Sequence, residues 1–391
     1  MRVGIVAPEF PPDIGGIQAY GYEFARELAR QGHEVVVFTE AREGARPAIQ
    51  GAQIVDGLRR RRRLDRPVLA RWRVDVWHVM NASYAWLAEE FGNVVISVHG
   101  NDFLRPYLPV ARPDLGRFPG LWRIASRLEG LDRWLGGYLT ARSVRRCLPK
   151  ARHIMTNSRY TEQALLQQYP RCRGRTTVGY VGVSEDCFAV QRDRTAHPQS
   201  THLVTVCRLS EQRKNVDVVL RSLERLRGVN SFRYTVVGDG EQRRELERLC
   251  GELDLSDRVQ FTGQLPRRDV LEVLGRADLF VLPSSVSPTS HEGFGIVYLE
   301  ANACGTPVLA ARLGGAAEAV EEGVTGLFVE EPTVAAVTAA LRRFMNGEMS
   351  FREDACREFA RRFTWQRVVA HALEHYPQVA AGLSGNRVAG T

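Results

Sequence analysis

The chain reads as α/β, two doubly wound parallel-sheet domains in tandem facing a central cleft. Its length, a recurring strand-and-helix grammar and a polar break near the middle carry that reading. At 391 residues it is too long for one typical domain and about right for two, each able to bury a core. The strands appear as short apolar runs rather than strict alternation, the mark of parallel strands buried on both faces. In the first half these runs are 2–7, 34–39, 74–79 and 94–99, with a glycine turn at Gly15-Gly16 and a helical pattern over 18–31 between the first two. In the second half they are 203–207, 233–237, 259–261, 279–282 and 307–310, alternating with amphipathic helices such as 216–227 and 241–252. Between the halves, 193–200 carries His197-Pro198-Gln199-Ser200 and few large apolar residues, which makes it the expected linker. The predicted division is therefore 1–190, 201–362, and a final segment 363–391 whose helix, over 364–376, crosses back to the first domain. Each half has the pattern of a Rossmann-like nucleotide-binding domain, so ligands are expected outside the carboxyl ends of the strands.

Composition narrows the function classes. Charged residues make up 25% and hydrophobic residues 44%, as in an ordinary globular protein. No stretch approaches the roughly 18 apolar residues of a membrane span, and residues 1–8 lack the apolar core and cleavage site of a signal peptide. The seven cysteines are scattered singly, without a C-x-x-C pair, which fits a reducing cytoplasm. His371 and His375 flank Ala372-Leu373-Glu374, but the zincin order H-E-x-x-H is absent, so they are read as surface helix residues. A net charge of +8 points to an anionic partner. Only two of the 53 basic residues are lysines, Lys150 and Lys214.

Two basic segments stand out. Arg59, Arg60, Arg61, Arg62 and Arg63 form an unbroken run, which is ordinarily a solvated loop or helix face. In 121–148, apolar residues including Leu131, Trp134, Leu135, Tyr138 and Leu139 alternate on a helical period with Arg133, Arg142, Arg145 and Arg146. Such a helix either packs its apolar stripe inward or lies on an anionic membrane. The expected location is cytoplasmic, peripheral on the inner face of the membrane if these segments dock there.

The segment richest in chemistry is 283–329. After an apolar strand, Glu292-Gly293-Phe294-Gly295 turns the chain into a helix running to about Ala303. Glycines permit close backbone approach, and a helix N-terminus offers unpaired N–H groups to a pyrophosphate. Glu300 follows Glu292 with seven residues between, about two helical turns on, so two carboxylates face one ligand, Glu292 suited to a sugar hydroxyl and Glu300 to a ribose diol.

With its surroundings this E-x7-E pattern resembles the family-4 glycosyltransferases, whose two-domain fold is called GT-B. The supporting residues are Pro283-Ser284 before it, Cys304-Gly305-Thr306-Pro307-Val308 and Gly314-Gly315 after it, and Gly238-Asp239-Gly240-Glu241, Phe261-Thr262-Gly263 and Ala277-Asp278-Leu279 upstream. The resemblance covers nearly all of 203–329. It implies that Arg208 and Lys214 bind the donor diphosphate, where fixed cations would stabilise the charge developing on the leaving group. It also implies that Gly293, Phe294, Gly295 and Glu300 cradle the donor, with Gly15 and Gly16 as the glycine loop of the first domain. His99 matches the family's histidine near the donor sugar, and Asn157-Ser158 and Gly182-Val183 match with less meaning. One departure is the long loop 284–291 before the first glutamate, which would reshape the acceptor or sugar pocket.

The activity implied is retaining transfer of a hexose from a nucleotide-diphosphate sugar, UDP-glucose ahead of GDP-mannose, to a glycan or lipid-linked hydroxyl of lipopolysaccharide or exopolysaccharide. Catalysis would rest on His99, Glu292, Arg208 and Lys214, with no metal, no organic cofactor and no nucleic-acid partner. Competing readings are a GT-B phosphorylase or nucleotide-sugar epimerase, and an inactive basic protein binding membrane or nucleic acid.

Overall fold

The computed structural model describes residues 1–13, 15–42, 46–110, 122–192 and 200–377, and side chains other than those of 122–129 within them. The expected linker falls almost wholly on 193–199, outside the described residues.

The first sheet contains β1 (Arg2–Val6), β2 (Glu34–Glu40), β3 (Ala52–Leu58), β4 (Val76–Val79), β5 (Val94–Val98), β6 (His153–Thr156) and β7 (Thr176–Val178). Their spatial order is β3-β2-β1-β4-β5-β6-β7, and every pairing is parallel. The second sheet contains β8 (Thr201–Val206), β9 (Phe232–Val237), β10 (Val259–Gly263), β11 (Leu279–Leu282), β12 (Val308–Ala311) and β13 (Gly326–Val329), in the order β10-β9-β8-β11-β12-β13, again all parallel. The chain therefore holds two doubly wound α/β domains. In each sheet the strand order reverses beside the opening strand, β1 or β8, so the loops after those two strands sit at the switch points where such sheets bind ligands.

Apolar runs form these strands because both faces are covered. Val3, Ile5 and Val6 of β1 and all of β11 are fully buried. Helix Gly16–Arg30 buries Tyr20, Phe24, Ala25 and Leu28, a helical spacing that lays one face on the first sheet. It begins two residues earlier than the periodicity predicts because Gly15 supplies an extended cap. Helix Val216–Glu224 stops short of the predicted end, while Leu226 beyond it still reaches the core. β3, β6, β7 and β13 have no counterpart among the predicted strands.

The last helix, Trp365–Glu374, packs on the first domain. Thr364 caps it, Val183 N–H donates to the Phe363 carbonyl at 2.9 Å, and Trp365 lies edge-on to Tyr20 with ring centroids 5.2 Å apart. Gly182 is required beneath that indole, since a Cβ there would come within 2.6 Å of its ring. One apolar cluster runs from the first sheet through Val181, Val183 and Trp365 into the second.

Candidate active site between the domains

The Glu292 carboxylate is at the centre of the cluster. Pro283 follows strand β11, and the loop 284–291 folds against the turn after β8: Ser285 N–H donates to the Arg213 carbonyl at 2.7 Å, and Arg213 Nε donates to Ser290 Oγ at 2.8 Å. This delivers Glu292, with its side chain only 13% exposed, to Lys214 Nζ at 2.5 Å and Arg213 Nη1 at 3.2 Å. Burial alone would raise the carboxyl pKa, but Lys214 and Arg213 overcome it and hold the group at about 2. Glu292 is thus an anion fixing two cations at the end of β8 rather than a free base. Arg208 is exposed on the same loop and carries no ion pair among the described residues.

After Glu292 the chain makes the predicted glycine turn. Gly295 is left-handed (φ 84°), where a Cβ would strike the Tyr298 ring at 2.3 Å, and helix Ile296–Ala303 starts from it. Tyr298 N–H donates to the Gly295 carbonyl at 3.0 Å, while the N–H groups of Ile296 and Val297, at the first two positions, precede any intrahelical acceptor. The side chain of Phe294 is buried between Tyr180 and Phe363, so only its backbone can face a donor. Glu292 precedes the helix, and the two glutamates engage different cations, in contrast to the expected pair on one helical side. Glu300 accepts from Arg267 Nη1 at 2.7 Å, and Arg267 also holds Asp186 at 2.7 and 3.0 Å. Glycines at strand ends complete the rim: a Cβ on Gly238 would lie 1.9 Å from the Cys207 carbonyl oxygen.

The first domain brings His99 to the same place. Asp102 accepts from the backbone N–H of His99 and of Ala82, both at 2.9 Å, fixing the turn after β5. The His99 ring lies edge-on to Tyr20 at 4.6 Å, and its Nε2 is buried without a hydrogen-bond partner among the described residues. Burial lowers its pKa to about 4, so the imidazole is neutral near pH 7. Behind it runs a buried polar chain. Tyr20 Oη lies 3.4 Å from Ser97 Oγ, Ser97 lies 2.8 Å from His78 Nε2, and His78 Nδ1 lies 2.5 Å from Tyr376 Oη on the C-terminal segment.

The two domains meet on Gly293. A Cβ there would lie 2.5 Å from both the His99 carbonyl oxygen and Asn157 Nδ2. His291 Nε2 is 3.1 Å from Thr161 Oγ1, and Arg105 reaches Thr289 on the long loop. Glu318 caps the N-terminus of helix Arg159–Gln168 from the other domain, accepting from the N–H groups of Arg159 and Tyr160 at 3.0 Å each. Gly15 is extended and caps helix Gly16–Arg30. A Cβ on Gly16 would meet nothing within 4 Å, so sterics do not demand glycine there.

The structure adds Arg213, Thr161, Arg267 and Glu318 to the residues in contact with this cluster, and it sets Asn157, which carries little meaning in the sequence, against Gly293. Arg213 adjoins Lys214 and was findable, but Glu318 and Arg267 act through contacts distant in sequence. Of the basic run, Arg60, Arg61 and Arg62 are half-buried, Arg62 pairing with Glu90 at 2.6 Å, and only Arg59 and Arg63 are exposed. Helix Trp122–Cys147 forms as expected but does not turn its apolar stripe inward at Leu131, Trp134 and Tyr138, which are 57%, 68% and 56% exposed. Among the described residues no helix is long and apolar enough to cross a membrane.

Burial also holds His78 at about 3 and, with Arg213 nearby, His291 at about 4. Their folded pKa values, like that of His99, lie below the unfolded value of about 6.5, so the unfolded chain binds more protons between those limits. The melting temperature is therefore expected to be level above about pH 6.5 and to fall as pH drops from there toward 4. Calorimetry across that range checks this, and a flat profile would contradict the buried neutral histidines.

Two doubly wound α/β domains meeting at this cluster have the GT-B architecture. The chain belongs to glycosyltransferase family 4: the model for Glycosyltransferase Family 4 matches residues 14–186, and that for Glycosyl transferases group 1 matches 189–363. The chain is 30% identical over 365 residues to the GDP-mannose-dependent alpha-(1-6)-phosphatidylinositol monomannoside mannosyltransferase of Mycolicibacterium smegmatis, covering 86% of this chain and 87% of that protein. It is 28% identical over 408 residues to the D-inositol 3-phosphate glycosyltransferase of the same organism, covering 96% and 91%. Among solved structures, sucrose-phosphate synthase from Thermosynechococcus elongatus shares the fold at a TM-score of 0.75 and 19% identity, covering 96% of this chain and 98% of that one. The chain is a glycosyltransferase.

Proposed function

We propose that the protein transfers a hexose from a nucleoside diphosphate hexose to a hydroxyl of a lipid-linked or polysaccharide acceptor of the cell envelope, with retention at the anomeric carbon. The observation that carries this is the pairing of Lys214 and Arg213 with Glu292 beside the helix N-terminus at Gly295, with the backbone of His99 packed against Gly293. The acceptor hydroxyl attacks the anomeric carbon on the face from which the diphosphate departs. The bond from that carbon to the phosphate oxygen breaks, and the departing oxygen takes the acceptor's proton. Arg208 and Lys214 stabilise the charge gathering on the diphosphate, so the reading needs no metal. Glu292 holds Lys214 in place and is close enough to the turn to meet a sugar hydroxyl, Glu300 receives the ribose, and neutral His99 hydrogen-bonds the sugar.

UDP-glucose and GDP-mannose are the donors to test first. The GDP-mannose dependence of the mycobacterial relative favours the second. Turnover of a nucleotide-sugar panel, with the anomeric configuration of the product read by NMR, tests the proposal; absence of turnover with every hexose donor, or inversion, would overturn it.

The same reading places the enzyme on an anionic membrane. Leu131, Trp134 and Tyr138 stand outward on one helical stripe, with the Trp134 and Tyr138 rings stacked 6.2 Å apart, and Arg142 and Arg145 continue it. The arginine run adjoins this helix, since Glu89 accepts from Arg146 at 2.6 Å and pairs with Arg62 at 3.5 Å. Trp134→Glu with Tyr138→Glu is expected to abolish sedimentation with vesicles rich in phosphatidylglycerol while leaving the melting temperature unchanged. Undiminished sedimentation would refute the docking face.

A further inference from the structure

His371 and His375 are four residues apart at the end of helix Trp365–Glu374, and they are half-buried rather than free on the surface. Positions i and i+4 share a helix face, the spacing with which two imidazoles chelate one divalent cation. The order here, His371-Ala372-Leu373-Glu374-His375, also sets a carboxylate on the same turn. His371, Glu374 and His375 each place a ligating atom within 4.8 Å of the other two, the only such group among the described residues. The two imidazole planes are almost perpendicular, at 89° with centroids 5.1 Å apart, so their ring nitrogens can address one point from different directions.

The first domain supplies the rest. His153, at the start of β6, stacks on His375 with centroids 3.5 Å apart and planes 7° from parallel, which fixes that ring. The Nε2 atoms of His153, His371 and His375 converge on the Thr177 hydroxyl of edge strand β7 at 2.8, 2.8 and 3.5 Å. Two secondary elements distant in sequence thus bring three imidazoles together. None of these residues belongs to the cradle of the transfer site.

We infer that His371, Glu374 and His375 form a binding site for a divalent transition metal ion, Zn²⁺ or Ni²⁺, at the seam between the C-terminal helix and the β6–β7 edge of the first domain. Two imidazoles and a carboxylate suit such ions, and a fourth position is left for water. His153 acts as a positioning residue by holding the plane of His375. The bound ion pins the end of the crossing helix to the first domain and takes no part in sugar transfer.

The test uses the full, untagged chain stripped with a chelator and then titrated with Zn²⁺ by calorimetry, alongside thermal unfolding with and without Zn²⁺. One Zn²⁺ is expected to bind and to raise the melting temperature. His371→Gln and His375→Gln should each abolish that binding and the Zn²⁺-dependent shift while keeping the metal-free melting temperature close to that of the parent. His153→Gln should retain the stoichiometry and weaken affinity by about 10-fold. Cobalt substitution gives an independent readout, expected to show tetrahedral d–d bands without thiolate charge transfer. The inference is overturned if the parent binds no Zn²⁺, if both glutamine variants bind it as the parent does, or if the cobalt spectrum reports cysteine ligation.

Discussion

Replacing Lys214 by alanine is expected to lower kcat/KM for the donor sugar by roughly 100- to 1,000-fold, the usual consequence of removing one fixed donor from a developing anion. The ammonium is 2.5 Å from Glu292 and is positioned before substrate arrives, so no reorganisation is required during the reaction. Arg213 still bonds Glu292 at 3.2 Å in the variant, which keeps the carboxylate paired and limits the loss of stability. Lys214→Arg should recover only part of the activity, because a planar guanidinium does not fit the space of a compact ammonium. Steady-state kinetics beside a melting curve separates the two effects. Unchanged kcat/KM in Lys214→Ala would remove this residue from the diphosphate site.

A second large effect is expected from Gly293→Ala. Its new Cβ would lie 2.5 Å from the His99 carbonyl oxygen and from Asn157 Nδ2, closer than side chains pack, and one of those contacts is backbone. The domains must then part at the point where His99 meets the glycine turn. Misplacing reacting groups by about 1 Å costs on the order of 100-fold, so kcat should fall by at least that much. Calorimetry should find nucleoside diphosphate affinity falling far less than kcat, since neither of those contacts involves Lys214 or helix Ile296–Ala303. Gly315→Ala is the contrast. Its Cβ would lie 1.9 Å from the Gly293 carbonyl oxygen inside the same domain, so it should lower the melting temperature as well.

What the sequence disclosed follows from where each signal resides. The central strands and the turn from Glu292 to Gly295 are local: apolar runs, glycines at forced conformations and a helix start lie within a few residues of one another. Edge strands are less legible. β3 alternates buried and exposed positions weakly, and β7 has only three residues, Thr176 to Val178, so neither makes an apolar run. Lys214 was readable from its motif, but its pairing with Glu292 spans 78 positions and arises only when loop 284–291 folds onto the β8 turn. The capping of Arg159 by Glu318 crosses between domains, and no local pattern announces it. Helical periodicity alone leaves His371 and His375 on the surface, whereas their surroundings are set by His153 and Thr177 on two strands of the first domain.

The most direct test of the donor cradle is a crystal structure of the protein with a bound nucleoside diphosphate. The β-phosphate is predicted to lie within hydrogen-bond distance of Arg208, Lys214 and the backbone N–H groups that begin helix Ile296–Ala303, with the ribose hydroxyls on Glu300 and Arg267 drawn aside from that carboxylate. A diphosphate seated elsewhere, with Lys214 still bound only to Glu292 and Glu300 still held by Arg267, would contradict the account.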